Sequence, residues 1–199
     1  MAHSSNSAEP DDDKTNPHDW QVLNQFVEMR SPWFTLIGEH LQDHQGQPLD
    51  YWRVERADSC IVLPLWRNQL VLPPPSYRPG VQQSTYDFPG GRVADGQSAA
   101  AIVPQILQRE LGIDAHTIRS VTPIGATSTP PGFIVNSSFS NQRLYGFVAE
   151  LEPTTKIPDC YIDTTYRTTN WGIAELLSKL VCLQCRALVL EWWLSRLSA

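Results

Sequence analysis

The chain has 199 residues, 41% of them hydrophobic and 18% charged, with 15 Lys+Arg against 21 Asp+Glu for a formal charge of −6. That apolar content supports a core without staples and excludes global disorder. The acidic balance, with no Lys/Arg-rich run, argues against a protein that tracks nucleic-acid phosphates. Nor is there an uncharged apolar run of the roughly 18 residues that a membrane helix needs. A soluble, cytoplasmic protein is the expectation.

Residues 1–19 read as a disordered acidic tail: through Pro17 the only apolar residues are Met and Ala, and Glu9, Asp11, Asp12 and Asp13 face one Lys14. Residues 20–57 read as an N-terminal helix/strand element and 58–199 as the main domain. Within the first, 33–41 and 49–57 are rich in aromatic and branched residues, two strands joined by the polar segment 42–48. Residues 58–66 and 69–74 predict a buried hairpin around Arg67 and Asn68, ended by Pro73–Pro75.

A long Pro/Gly-rich loop over 74–97 follows, of the kind that is usually functional or disordered. The spacing of Ile102, Ile106, Leu107 and Leu111 predicts a helix over 98–111, kinked at Pro104 and capped by Gly112. Residues 117–126 and 143–151 read as strands around a loop at 128–142, and 171–181 and 185–197 as two amphipathic helices. Trp192 and Trp193 point about 100° apart on the last helix; burial of both is expected, with exposure of one as a partner contact left open.

Cys182 and Cys185 form a C-x-x-C, but a zinc site needs two more ligands and no second pair has suitable spacing. A redox site needs an electropositive helix start. Since both cysteines fall in an apolar helical stretch, they read as small buried hydrophobes.

The informative stretch is PGGRVADGQSAAAIVPQILQRELGI (89–113), a glycine-rich loop leading into a helix. Such a loop can cradle phosphate on backbone N–H groups, yet it lacks both the G-K-[ST] of a P-loop and a G-x-G-x-x-G. It resembles the box of the Nudix superfamily, G-x5-E-x7-R-E-U-x-E-E-x-G-U, laid without gaps from Gly91 to Gly112-Ile113. Its flanks agree. SYRP (76–79) resembles the family's Q-Y-R-P, YDFPGG (86–91) its E-L-P-A-G, and STPPGF (128–133) the S-P-G-F loop of its ADP-ribose and nucleoside-diphosphate-sugar pyrophosphatases.

The resemblance implies an α/β/α sandwich with a mixed sheet, preceded by antiparallel strands that this group exchanges across a homodimer. It also shows what is missing. The box acids are replaced by Gln97, by Gln105-Ile106 and by Arg109-Glu110, leaving Glu110 alone, and Asn136 stands where a catalytic Glu follows P-G-F. Mg²⁺-assisted hydrolysis needs several anionic oxygens and a base. The expectation is therefore an impaired diphosphatase that acts by binding a nucleoside diphosphate or by protein interaction.

In that reading Arg78, Arg92 and Arg109 face the phosphates, Trp52 (or Tyr51) stacks on a base, and Glu110 is a residual metal ligand. Two alternatives stay open. One is an active Mg²⁺- or Mn²⁺-dependent ADP-ribose or ADP-sugar pyrophosphatase that rearranges Glu110 with Asp87, Asp95 or Asp114. The other is a scaffold dimer with no ligand. A divalent ion is implied only if the protein is active, and neither nucleic acid nor membrane is expected as a partner.

Overall fold

The structure is a computed structural model that describes residues 19–125 and 132–197. The expected acidic tail, Asp19 apart, and residues 128–131 of the STPPGF loop lie outside the described residues.

The N-terminal element is an antiparallel meander of β1 (Gln21–Arg30), β2 (Thr35–Gln42) and β3 (Pro48–Glu55). Two of these strands match the sequence expectation; β1 was not foreseen. It pairs with β2 through two register shifts, after Val22 and after Gln25, and nearly all its residues are exposed. A strand with no buried face carries no clean alternation of apolar and polar residues to read.

The main domain is built on a seven-stranded mixed sheet. Its centre is the hairpin of β4 (Ser59–Trp66) and β5 (Gln69–Leu72). Arg67 and Asn68 join them at φ 51° and 59°, the left-handed pair that a tight hairpin turn needs. The long loop contains a small hairpin, β6 (Ser76–Arg78) with β7 (Gln83–Thr85), and then β8 (Gly90–Arg92), which pairs with β4. Helix α1 (Val103–Leu111) and strands β9 (Ile118–Ile124), β10 (Phe133–Ile134) and β11 (Arg143–Leu151) follow, with β11 parallel to β4. The last elements are β12 (Thr164–Arg167), α2 (Asn170–Lys179) and α3 (Leu183–Leu197). β12 adds a further edge, antiparallel to β5, in a Pro/Asp/Thr segment that offered no strand pattern.

Burial explains why β4 and β5 read as continuous apolar runs. Cys60, Val62 and Val71 point to one face, where α1 supplies Val103, Ile106, Leu107 and Leu111. Ile61, Leu63, Leu65, Leu70 and Leu72 point to the other, where α2 and α3 supply Ile173, Leu176, Leu188, Val189 and Trp192. Helices cover the sheet on both sides, the architecture that hides both faces of a parallel pair. This is the α/β sandwich with a mixed sheet and N-terminal antiparallel strands that the resemblance implied.

Two local readings change. Residues 99–102 form a tight 3₁₀ turn, and α1 proper starts at Val103, so Pro104 sits in its first turn. There its missing N–H would have had no helical partner, so the expected kink has no cause. Gly112 caps α1 as expected, at φ 63°, with the next N–H, that of Ile113, reaching Leu107 O at 3.3 Å. On α3, Trp192 is buried and Trp193 half-buried, their ring centroids 6.1 Å apart. No helix among the described residues is long and apolar enough to cross a membrane.

Candidate functional site

A cleft of about 1030 Å³ opens between the β6–β8 segment, the C-terminal half of α1 and the start of α3. Arg78, Arg92, Arg109 and Glu110, four of the five residues singled out from the sequence, line it. Trp52 does not. It lies on β3 with its ring edge-on to Phe26 at 5.3 Å, 44% exposed, on the N-terminal sheet outside the cleft.

Each arginine reaches the cleft for a local reason. Arg78 ends β6, and its Nε donates to Asp87 Oδ2 at 2.7 Å, tying the SYRP motif to YDFPGG. Thr85 Oγ1 donates to the same oxygen at 2.9 Å, so Asp87 is held from two sides. Arg92 ends β8, and its Nη1 donates to Pro32 O at 3.0 Å, linking the cleft wall to the β1–β2 connection.

Arg109 folds back over the glycine loop. Its Nη2 donates to Gly90 O at 2.5 Å while its Nε pairs with Glu110 Oε1 at 2.8 Å. Gly91 lets strand and helix meet closely: a Cβ there would stand 3.1 Å from the Ile106 side chain.

The carboxylates do not gather on α1. Glu110 is spoken for by Arg109, Asp95 and Asp114 are exposed, and Ile106 is buried in the α1-facing core. Among the described residues one group of three potential metal ligands does converge, and it lies elsewhere. The ligand atoms of Asp87, Cys182 and Cys185 are all within 4.8 Å of one another.

This corrects the reading of both cysteines as small buried hydrophobes in a helical stretch. Leu180 ends α2 in extended backbone, and α3 begins at Leu183. Cys182 therefore precedes a helix start, half-buried on the cleft wall, while Cys185 is buried one turn further on. The Cys185 Sγ lies 3.8 Å from Asp87 Oδ1. The Cys185 thiol, helped by the backbone N–H groups of Cys185 and Gln184, stabilises a Cys182 thiolate and brings its pKa down to about 6. The same interaction, with burial, pushes Cys185 well above the ordinary thiol range. Asp87 lies 95 and 98 residues from these cysteines, and no local motif could have joined them.

No protein-family model matches the sequence, and no curated protein matches it either. Among solved structures it is similar to the crystal structure of an ADP compounds hydrolase, with a TM-score of 0.70 over 92% of this chain and 96% of that one, at 15% identity. At that identity the likeness establishes the fold.

Proposed function

We propose that the chain is a Nudix-type protein that binds a nucleoside diphosphate in this cleft, with hydrolysis weak or absent. The supporting observation is that Arg78, Arg92 and Arg109 line one cleft in which the box-helix carboxylate, Glu110, is already paired with Arg109. Guanidinium groups can take a diphosphate bidentately. The similar solved structure is of an ADP compounds hydrolase, which makes ADP-ribose and ADP-sugars the ligands to try first.

Mg²⁺ and Mn²⁺ fit α1 poorly. They take about six oxygen ligands in near-octahedral array, whereas this helix offers Glu110 beside a guanidinium and a buried hydrocarbon side chain at Ile106. The protein acts in the cytoplasm, where its four free cysteines stay reduced. It works as a homodimer, its N-terminal sheets covering one another.

Titration calorimetry with ADP-ribose in excess chelator tests the binding reading. Binding is expected to persist and to weaken at least about tenfold in Arg78→Ala and in Arg109→Ala. Two variants are needed because Arg78 also holds Asp87. Metal-dependent turnover that disappears in Glu110→Gln would overturn the weak-hydrolase reading, and absence of binding to any ADP compound would overturn the ligand itself.

A further inference from the structure

We propose that Asp87, Cys182 and Cys185 form a binding site for a borderline-soft divalent cation of the zinc class, with a fourth coordination position open to the cleft. The inference stands on this cluster's own geometry and does not depend on the nucleotide reading.

The spacing fits first. Tetrahedral zinc with sulfur at about 2.3 Å and oxygen at about 2.0 Å places its ligand atoms roughly 3.5–3.8 Å apart. Cys185 Sγ and Asp87 Oδ1 are already 3.8 Å apart, and no pair in the cluster exceeds 4.8 Å. Small side-chain rotations close the remainder. Cys182 immediately precedes α3 and Cys185 lies in its first turn, and their sulfurs already converge on the Asp87 carboxylate.

The carboxylate is oriented for the task. Arg78 and Thr85 both donate to Oδ2 of Asp87, which leaves Oδ1 turned to the thiols. Partners that fix a ligand's outer oxygen are a regular part of metal sites. Charge closes as well: two thiolates and one carboxylate against a divalent ion leave a net −1, and the Arg78 guanidinium cancels it.

Ligand softness chooses the ion. Two sulfurs exclude Mg²⁺ and Ca²⁺, which take oxygen, and select zinc-like ions. All three residues line the cleft, so the fourth position is open to it. Three protein ligands with one open position is the pattern of sites that exchange a bound water or anion rather than of closed structural ones.

The test uses the reduced full-length chain titrated with Co²⁺ and then Zn²⁺. Co²⁺ is expected to give a near-ultraviolet thiolate-to-cobalt charge-transfer band and tetrahedral visible bands. Both should saturate near one equivalent, be displaced by Zn²⁺ and be indifferent to excess Mg²⁺. Cys182→Ser should lose at least half of the charge-transfer intensity, and Asp87→Asn should weaken affinity about tenfold or more.

Cys160→Ser, at an exposed position, is the control expected to match the parent chain. Since Cys185 is buried and its serine variant risks unfolding, half-buried Cys182 carries the test, with circular dichroism confirming the fold. Absence of the charge-transfer band at saturating Co²⁺ overturns the proposal. So does an undiminished band in Cys182→Ser, which would assign the ion to other cysteines.

Discussion

The antiparallel β1–β3 sheet and the mixed seven-stranded sheet are both held by backbone ladders and differ in what covers them. Every residue of β4 from Cys60 to Leu65 is buried, and so are Leu70, Val71 and Leu72 of β5. On β1, by contrast, Val22, Leu23, Phe26 and Met29 are 61, 53, 38 and 53% exposed. Backbone pairing contributes little net stability because water offers the same hydrogen bonds; removal of apolar surface from water decides autonomy. Three strands need a covered apolar face to stand alone. Hydrogen bonds tie the N-terminal segment to the body: Arg92 to Pro32 O, Val54 N to Phe139 O at 2.8 Å, and Arg56 N to Asn141 Oδ1 at 2.9 Å. The fully covered strands of the main domain therefore carry most of the cooperative stability, and β1 is left with its apolar residues exposed.

The largest expected effect probes the covered half. Leu107 is fully buried between α1 and the sheet, and Leu107→Ala should lower unfolding free energy by about 3 kcal/mol, within a range of roughly 2–5. Phe26→Ala on β1 should cost less than about 1 kcal/mol, since that ring is already partly in water and packs chiefly on His40 and Trp52. Urea denaturation of both variants measures the contrast. Equal losses would mean that the exposed sheet is as integral to the fold as the core, and the comparison would break.

The same contrast sets what could be read in the sequence. The β4–β5 hairpin was legible because both of its faces are buried and because Arg67-Asn68 suits a tight turn. Gly112 marked the end of α1, and the apolar spacing marked its inward face. β1 was not legible, since a strand whose partner surface is absent from the chain's own core has no alternation to show. Four of the five candidate residues line one cleft because short motifs bracket them, whereas Trp52 sits on β3, whose pairing with β2 holds it outside that cleft within the single chain. The break between the last two helices was expected, but the Asp87–Cys182–Cys185 cluster joins residues 95 and 98 positions apart in the chain, and nothing local to the C-x-x-C points to Asp87.

Exposed β1 residues also sharpen the comparison in solution. If a second copy covers them, the parent chain should elute at twice its mass in size-exclusion chromatography with light scattering. Leu23→Glu, which sets a charge among exposed apolar neighbours, should raise the dimer dissociation constant at least about tenfold and leave the main domain's unfolding midpoint unchanged. A parent chain that is monomeric at all accessible concentrations would remove the second copy as the cover.

The smallest expected effect asks whether the two regions open separately. Glu39 on β2 is buried and takes a two-pronged pair from Arg53 on β3, Nε to Oε2 and Nη2 to Oε1, both at 2.9 Å. The Arg53 guanidinium holds the Glu39 carboxyl below the usual carboxylate range. A carboxylate whose pKa falls on folding stabilises the fold fully above its unfolded value of about 4.3, and the contribution is lost as pH falls through the lower folded value. Glu39→Gln should therefore destabilise β2–β3 by about 1 kcal/mol at pH 7 and by less as the parent chain is acidified through that window. Amide exchange at Gly38 and Trp52, corrected for intrinsic rates, should then quicken about fivefold at pH 7, with Val62 and Leu70 in the main sheet unaffected. If those core amides quicken by the same factor, the N-terminal sheet and the main domain open as one unit, and the apolar face of β1 is tolerated by a stability it shares.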